Sequence, residues 1–201
     1  MVVDPVEPTD ETLAAQAAAG NDQAFEALVT RYQARVYRLA CRLTSETDAP
    51  DVLQETFLLI HRHLPSFRGE SQFSTWMYRI ATNAALMHRR ARARRPTEPL
   101  DAFLPRFDSH GVHAATPPQL RVAAQAEQYL DRQHLIAKAR EFLDRLPDAN
   151  RDAFVLRDLE EIPTADVART LGIEPSAVRQ RVHRARLMLR GFLSDLVEVT
   201  R

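Results

Sequence analysis

A chain of 201 residues with 45% apolar side chains is long enough to bury one or two compact cores, and it lacks any apolar run approaching the roughly 20 residues of a membrane-spanning helix. Its 27 basic and 27 acidic side chains cancel, so any attraction to a polyanion must come from where the charges sit. The single cysteine, Cys41, excludes an internal disulfide, and without a basic-then-apolar leader the expected compartment is the cytoplasm.

Residues 1 to about 10, acidic and proline-bearing, read as a loose tail. From Glu11 to Arg95 the pattern is helical. Apolar residues fall at Phe25, Leu28, Val29, Tyr32, Val36, Leu39 and Ala40, then at Leu53, Phe57 and Ile60, then at Phe73, Trp76, Met77, Ile80, Ala84 and Met87. This spacing predicts three amphipathic helices sharing one core, with Trp76 inside it. Cys41, with Tyr37, Leu39, Ala40 and Leu43 around it, reads as a buried structural thiol. Helix starts are marked by Asn21 or Asp22 after Gly20, by Asp48 before Pro50, and by Ser71 after Gly69. Residues 71–97 contain no acid yet hold Arg79, Arg89, Arg90, Arg92, Arg94 and Arg95, a locally undiluted positive window.

Between Pro96 and about Gln125 the periodicity stops, interrupted by Pro99, Pro105, Pro117 and Pro118, and the stretch reads as a linker. Leu100, Phe103, Leu104 and Phe107 interleave with Asp101 and Asp108 there, which predicts that part of it docks. A second helical block carries Leu135, Ala139, Phe142, Leu143 and Leu146, then Phe154, Val155 and Leu159. The fold expected is all-α: a tail over 1–10, helical domains at 11–95 and 126–201, and a flexible linker over 96–125.

Residues 163–186 read as a helix, a three-residue turn and an arginine-loaded helix. Small Ala168 permits close helix approach, Gly172 can take the left-handed turn conformation, and Pro175 suits a first helical position. Val178, Val182, Ala185 and Leu189 make an inward stripe, leaving Arg179, Gln180, His183, Arg184 and Arg186 to face outward, where a major groove can receive them. No acid occurs from Pro175 through Ser194. The alternative is an amphipathic protein-binding helix, but such surfaces normally mix both charge signs.

Three segments in this order, DAPDVLQETF at Asp48–Phe57, FRGESQFSTWMYRIATN at Phe67–Asn83 and VHRAR at Val182–Arg186, resemble the extracytoplasmic-function group of bacterial sigma factors. The resemblance implies a dissociable initiation subunit of RNA polymerase, with the first domain in the role of region 2 and the last in that of region 4. It places Leu53, Gln54, Glu55, Phe57 and Leu58 on the helix offered to the polymerase clamp, with further contact to the flap. It assigns Phe67, Arg68, Arg79, Asn83, Arg89 and Arg90 to a melted minus-ten element, the loop from Pro65 to Gln72 helping to hold an unstacked base. Ser176, Arg179, Gln180, His183 and Arg184 fall at the duplex minus-thirty-five element. It further implies promoter DNA and an anti-sigma factor as partners, a linker that enters polymerase, and no catalytic residue, cofactor or metal.

Two other classes fit less of the chain. An enzyme would have to draw on His61 with His63, on His110 with His113, or on Glu160 with Glu161, none of which completes a metal site or an acid–base pair. A duplex-only regulator would use the C-terminal helices but has no use for the loop and basic helix of residues 65–95.

Overall fold

The computed structural model describes residues 8–92 and 132–199, with no strand among the described residues. The chain divides into two compact units, 1–94 and 95–201, each with its own core. Residues 1–7, the expected linker, Arg94 and Arg95 lie outside the described residues, as do His110 and His113.

The N-terminal unit comprises α1 (Asp10–Ala18), α2 (Asp22–Leu43), α3 (Ala49–His63), a 3₁₀ turn at Leu64–Ser66 and α4 (Phe73–Arg92). That is one helix more than the three expected. α1 buries only Leu13 and Ala14, too few apolar positions to register as a period, yet Thr9 caps it by accepting the Thr12 N–H at 3.2 Å. Asn21 caps α2 the same way, accepting from Ala24 N–H at 3.2 Å. Leu28, Tyr32, Val36, Leu39 and Leu43 then form its buried stripe, while Cys41 is half-buried.

α3 is turned by one residue from expectation. Val52, Thr56 and Ile60 face the core, and Leu53 and Phe57 stand only half-buried at its edge. Counting apolar residues alone misplaces this face because a threonine occupies its middle. The Thr56 hydroxyl is satisfied inside by donating to the Val52 carbonyl at 2.7 Å, so its burial leaves no unpaired polar group. Asp48 precedes α3 without a side-chain cap bond; its carboxylate instead accepts from the Ser45 hydroxyl at 2.9 Å and pairs with Arg92 near the end of α4.

α4 begins at Phe73, two residues later than Ser71, with the Gln72 carbonyl accepting Trp76 N–H at 3.1 Å. Its inner face runs through Phe73, Trp76, Met77, Ala81, Ala84 and Ala85, the alanines allowing close helix approach. Met87, expected inside, is 66% exposed.

The C-terminal unit comprises α5 (Arg132–Arg145), α6 (Asp148–Phe154) running into a π-turn at Val155–Leu159, α7 (Thr164–Leu171) and α8 (Pro175–Val199). Phe142, Leu146, Phe154, Leu156, Val167, Val178, Val182, Ala185 and Met188 fill its core. Leu135, Ala139 and Leu159, expected to pack inward, are exposed. Arg151 secures the end of α5 by donating to the carbonyls of Leu143 at 2.7 Å and Leu146 at 3.2 Å. Gly172 adopts φ 65 and ψ 39 at the end of α7, the left-handed geometry that a three-residue turn before Pro175 requires.

Candidate nucleic-acid and polymerase interfaces

Along α4, Arg79, Asn83 and Arg90 recur at i, i+4 and i+11, within about 40° of one another around a helix of 3.6 residues per turn. All three are exposed, and the stripe runs about 16 Å at 1.5 Å per residue. Arg79 and Arg90 have no ion-pair partner among the described residues. Met87 stands between Asn83 and Arg90 on this side. The periodicity counts it as core because a methionine carries no polar signal; only the tertiary packing, which buries Ala84 and Ala85, shows which side faces out.

The expected minus-ten residues do not all share this surface. Arg89 turns back and donates to the Leu43 carbonyl at 2.9 Å, closing the end of α2, so the fold already employs part of its guanidinium. Arg89, expected among the minus-ten residues, therefore has one guanidinium nitrogen engaged inside the fold. Phe67 is half-buried on an aromatic cluster: its ring lies 5.1 Å from Trp76 and 5.8 Å edge-on from Phe73, and Phe73 lies 5.7 Å from Trp76. Such pairs contribute about 0.5–1.5 kcal/mol each beyond area burial, enough to hold one loop residue in place. Arg68 is exposed beside it, before Gly69 at φ 71. Loop and stripe together give an aromatic floor, an amide and unpaired cations within one unit.

On α3, Gln54, Glu55 and Leu58 are exposed, Leu58 by 56%, while Leu53 and Phe57 border the core. The five expected polymerase residues thus spread over roughly 200° of the helix circumference as a mixed apolar and polar surface. His61, further along the helix, packs edge-on against Phe25 at 5.0 Å.

In the C-terminal unit Ser176, Arg179, Gln180, His183 and Arg184 are all exposed, on an arc of roughly 140° near the start of α8. Arg179 and Arg184 have no ion-pair partner among the described residues. Arg186 differs: it is exposed as expected, but its charge is already engaged within the unit. It forms a two-point pair with Asp158 of the π-turn, at 2.7 and 2.8 Å, and this hydrogen bonding holds the guanidinium even more firmly protonated than usual. A sequence window without acids did not reveal this partner, because it lies 28 positions upstream.

Among the described residues no group of three or more His, Cys, Asp or Glu side chains is placed to hold a metal, and no helix is long and apolar enough to cross a membrane.

Comparison with known proteins agrees with this division. The family model of sigma-70 region 2 matches residues 28–95, and that of sigma-70 region 4 matches residues 136–189. An ECF RNA polymerase sigma-E factor of Haemophilus influenzae is 35% identical over 189 residues, covering 94% of this chain and 97% of the relative. The Escherichia coli K12 protein of the same description is also 35% identical, over 193 residues, 94% of this chain and 96% of its own. Among solved structures, CnrH, in complex with the cytosolic domain of CnrY, superposes with TM-score 0.60 and 28% identity over 96% of this chain and 99% of its own. A Bartonella quintana sigma factor, at 24% identity, shares the fold with TM-score 0.58 over 88% of this chain and 98% of its own. Two sigma regions in order, and relatives 35% identical matched nearly end to end, place the chain in the extracytoplasmic-function group of RNA polymerase sigma factors.

Proposed function

We propose that this sigma factor divides promoter recognition between its units, the C-terminal one anchoring on duplex and the N-terminal one holding a melted strand, while core RNA polymerase supplies the chemistry. The observation that carries the reading is the contrast between the two exposed stripes. α8 presents Ser176, Arg179, Gln180, His183 and Arg184 on a convex helix that fits a major groove. α4 presents Arg79, Asn83 and Arg90 beside an aromatic-floored loop, chemistry suited to an unstacked base and its phosphates.

In this reading Phe67 and Asn83 border the base pocket, Arg68, Arg79 and Arg90 follow the backbone, and Arg89 contributes only what its bond to Leu43 leaves over. Leu53, Gln54, Glu55, Phe57 and Leu58 meet the polymerase clamp, and the C-terminal unit adds the flap. Domains over 11–95 and 126–201 with a linker over 96–125 allow both promoter elements to be held at once, since these lie more than two DNA turns apart at about 34 Å per turn. The chain acts in the cytoplasm, where DNA and polymerase are, and carries no catalytic activity of its own. An exposed Leu58 beside the clamp-facing residues gives an anti-sigma factor apolar surface to cover.

The test is run-off transcription from a library of random promoter sequences, with core polymerase and this full-length chain as the only added factor. Specific transcripts sharing two spaced elements are expected. A chain that neither associates with core enzyme nor yields a defined start site would overturn the reading.

A further inference from the structure

We propose that α1 is a positioning element for the strand-holding loop, and that Glu11 is its positioning residue, fixing the loop without touching DNA. The inference rests on the reading of residues 67–72 as the loop that borders the captured base.

Both ends of that loop are held by α1. At the downstream end, a Glu11 carboxylate oxygen accepts the Phe73 N–H at 3.4 Å. Phe73 is the first residue of α4, where N–H groups have no partner within the helix and where a negative charge is favourable to the helix dipole. The acceptor arrives from 62 positions away, so α4 cannot keep this bond unless α1 is docked. At the upstream end, α1 packs on the 3₁₀ turn Leu64–Ser66, with Leu13, Ala14 and Leu64 all at most 4% exposed. Phe67 N–H then donates to the Leu64 carbonyl at 3.0 Å, passing that position on to the loop.

α1 is itself pinned to α2. Asp10 accepts from Arg31 at 2.5 Å and from the Tyr32 hydroxyl, and the Tyr32 ring meets Phe73 edge-on at 5.7 Å. Glu11 and Tyr32 therefore converge on the residue that carries Phe67 and Trp76. Residues 68–72 are exposed and bring almost no packing of their own, which leaves the loop's geometry to its ends.

Trp76, the only tryptophan, sits against Phe67 and reports on the loop directly. The full-length chain is compared as wild type, Glu11→Ala and Glu11→Gln, the last keeping an oxygen acceptor for Phe73. Four quantities are read: acrylamide quenching of Trp76 emission, affinity for the single nontemplate strand of a promoter recovered by run-off, affinity for core polymerase, and the melting midpoint. Glu11→Ala is expected to increase quenching and to weaken single-strand binding about three- to tenfold, as loss of a helix cap would. Core affinity stays near wild type, the melting midpoint falls by no more than the few degrees of one lost helix cap, and Glu11→Gln recovers both the shielding of Trp76 and the strand affinity. Tyr32→Phe, which loosens α1 from its other side, shifts quenching and strand binding in the same direction.

A Glu11→Ala protein that binds the strand as wild type does, or one whose core affinity falls in step, overturns the inference. If wild type itself binds no single strand, the capture reading fails and this one falls with it; unchanged binding by Glu11→Ala alone leaves capture standing.

Discussion

Arg184 and Arg186 are two positions apart on one helix and have opposite circumstances. Arg186 is held by Asp158, whereas Arg184 has no ion-pair partner among the described residues. Arg184→Ala is expected to weaken binding to a minus-thirty-five duplex by roughly 1–3 kcal/mol if it reads a base edge, measurable by fluorescence anisotropy. Arg186→Ala should act mainly on the fold and only modestly, about 0–1 kcal/mol in urea unfolding, because the pair is largely solvent-screened. Tyr32 is the clearest pH-sensitive group. Burial first, and then the hydrogen bond to Asp10, push its phenol above the ordinary value of 10.0. A group whose folded pKa is raised contributes stability that is complete below the unfolded pKa and disappears as pH rises through the folded one. Stability of the wild type should therefore fall more steeply above about pH 10 than that of Tyr32→Phe. Urea midpoints on both proteins across that range provide the measurement.

Among the helices, α4 shows how a local pattern can be right about an element and wrong about its orientation. Met77 and Met87 both fit its apolar spacing, yet Met77 is fully buried and Met87 is 66% exposed. Met77→Ala is expected to cost about 2–5 kcal/mol by leaving a cavity, and Met87→Ala to stay within about 0.5 kcal/mol, both read from chemical denaturation. Equal effects would mean that α4 is rotated from the orientation described. The same limit applies to α3, where Thr56 interrupts the apolar count and shifts the apparent face by one residue. Where chain chemistry is strictly local, reading it was enough. Gly172 at φ 65, Pro175 at the first position of α8 and Asn21 at the cap of α2 all lie where residue type predicts. α1 escaped as a separate helix because two buried residues do not make a period.

For the whole molecule, the proposed division of labour makes strand opening separable from promoter binding. Asn83 is exposed on the α4 stripe and lies far along the chain from the residues proposed for the minus-thirty-five element. Asn83→Ala should lower permanganate reactivity of the melted region more than it lowers closed-complex footprinting; equal losses would remove Asn83 from strand capture. Read alone, the sequence determined the all-helical class, the helix-turn-helix, the two arginine windows and the family, since each of these depends on residue types and spacings within a few helical turns. Only the tertiary structure decided which arginines remain available, with Arg89 drawn to Leu43 and Arg186 to Asp158, and which faces of α3 and α4 look outward. It alone brought Glu11 to Phe73 across 62 positions. The physical reason is the same in each case: these outcomes are set by partners distant in the chain, and helical periodicity carries no information about which distant group will arrive.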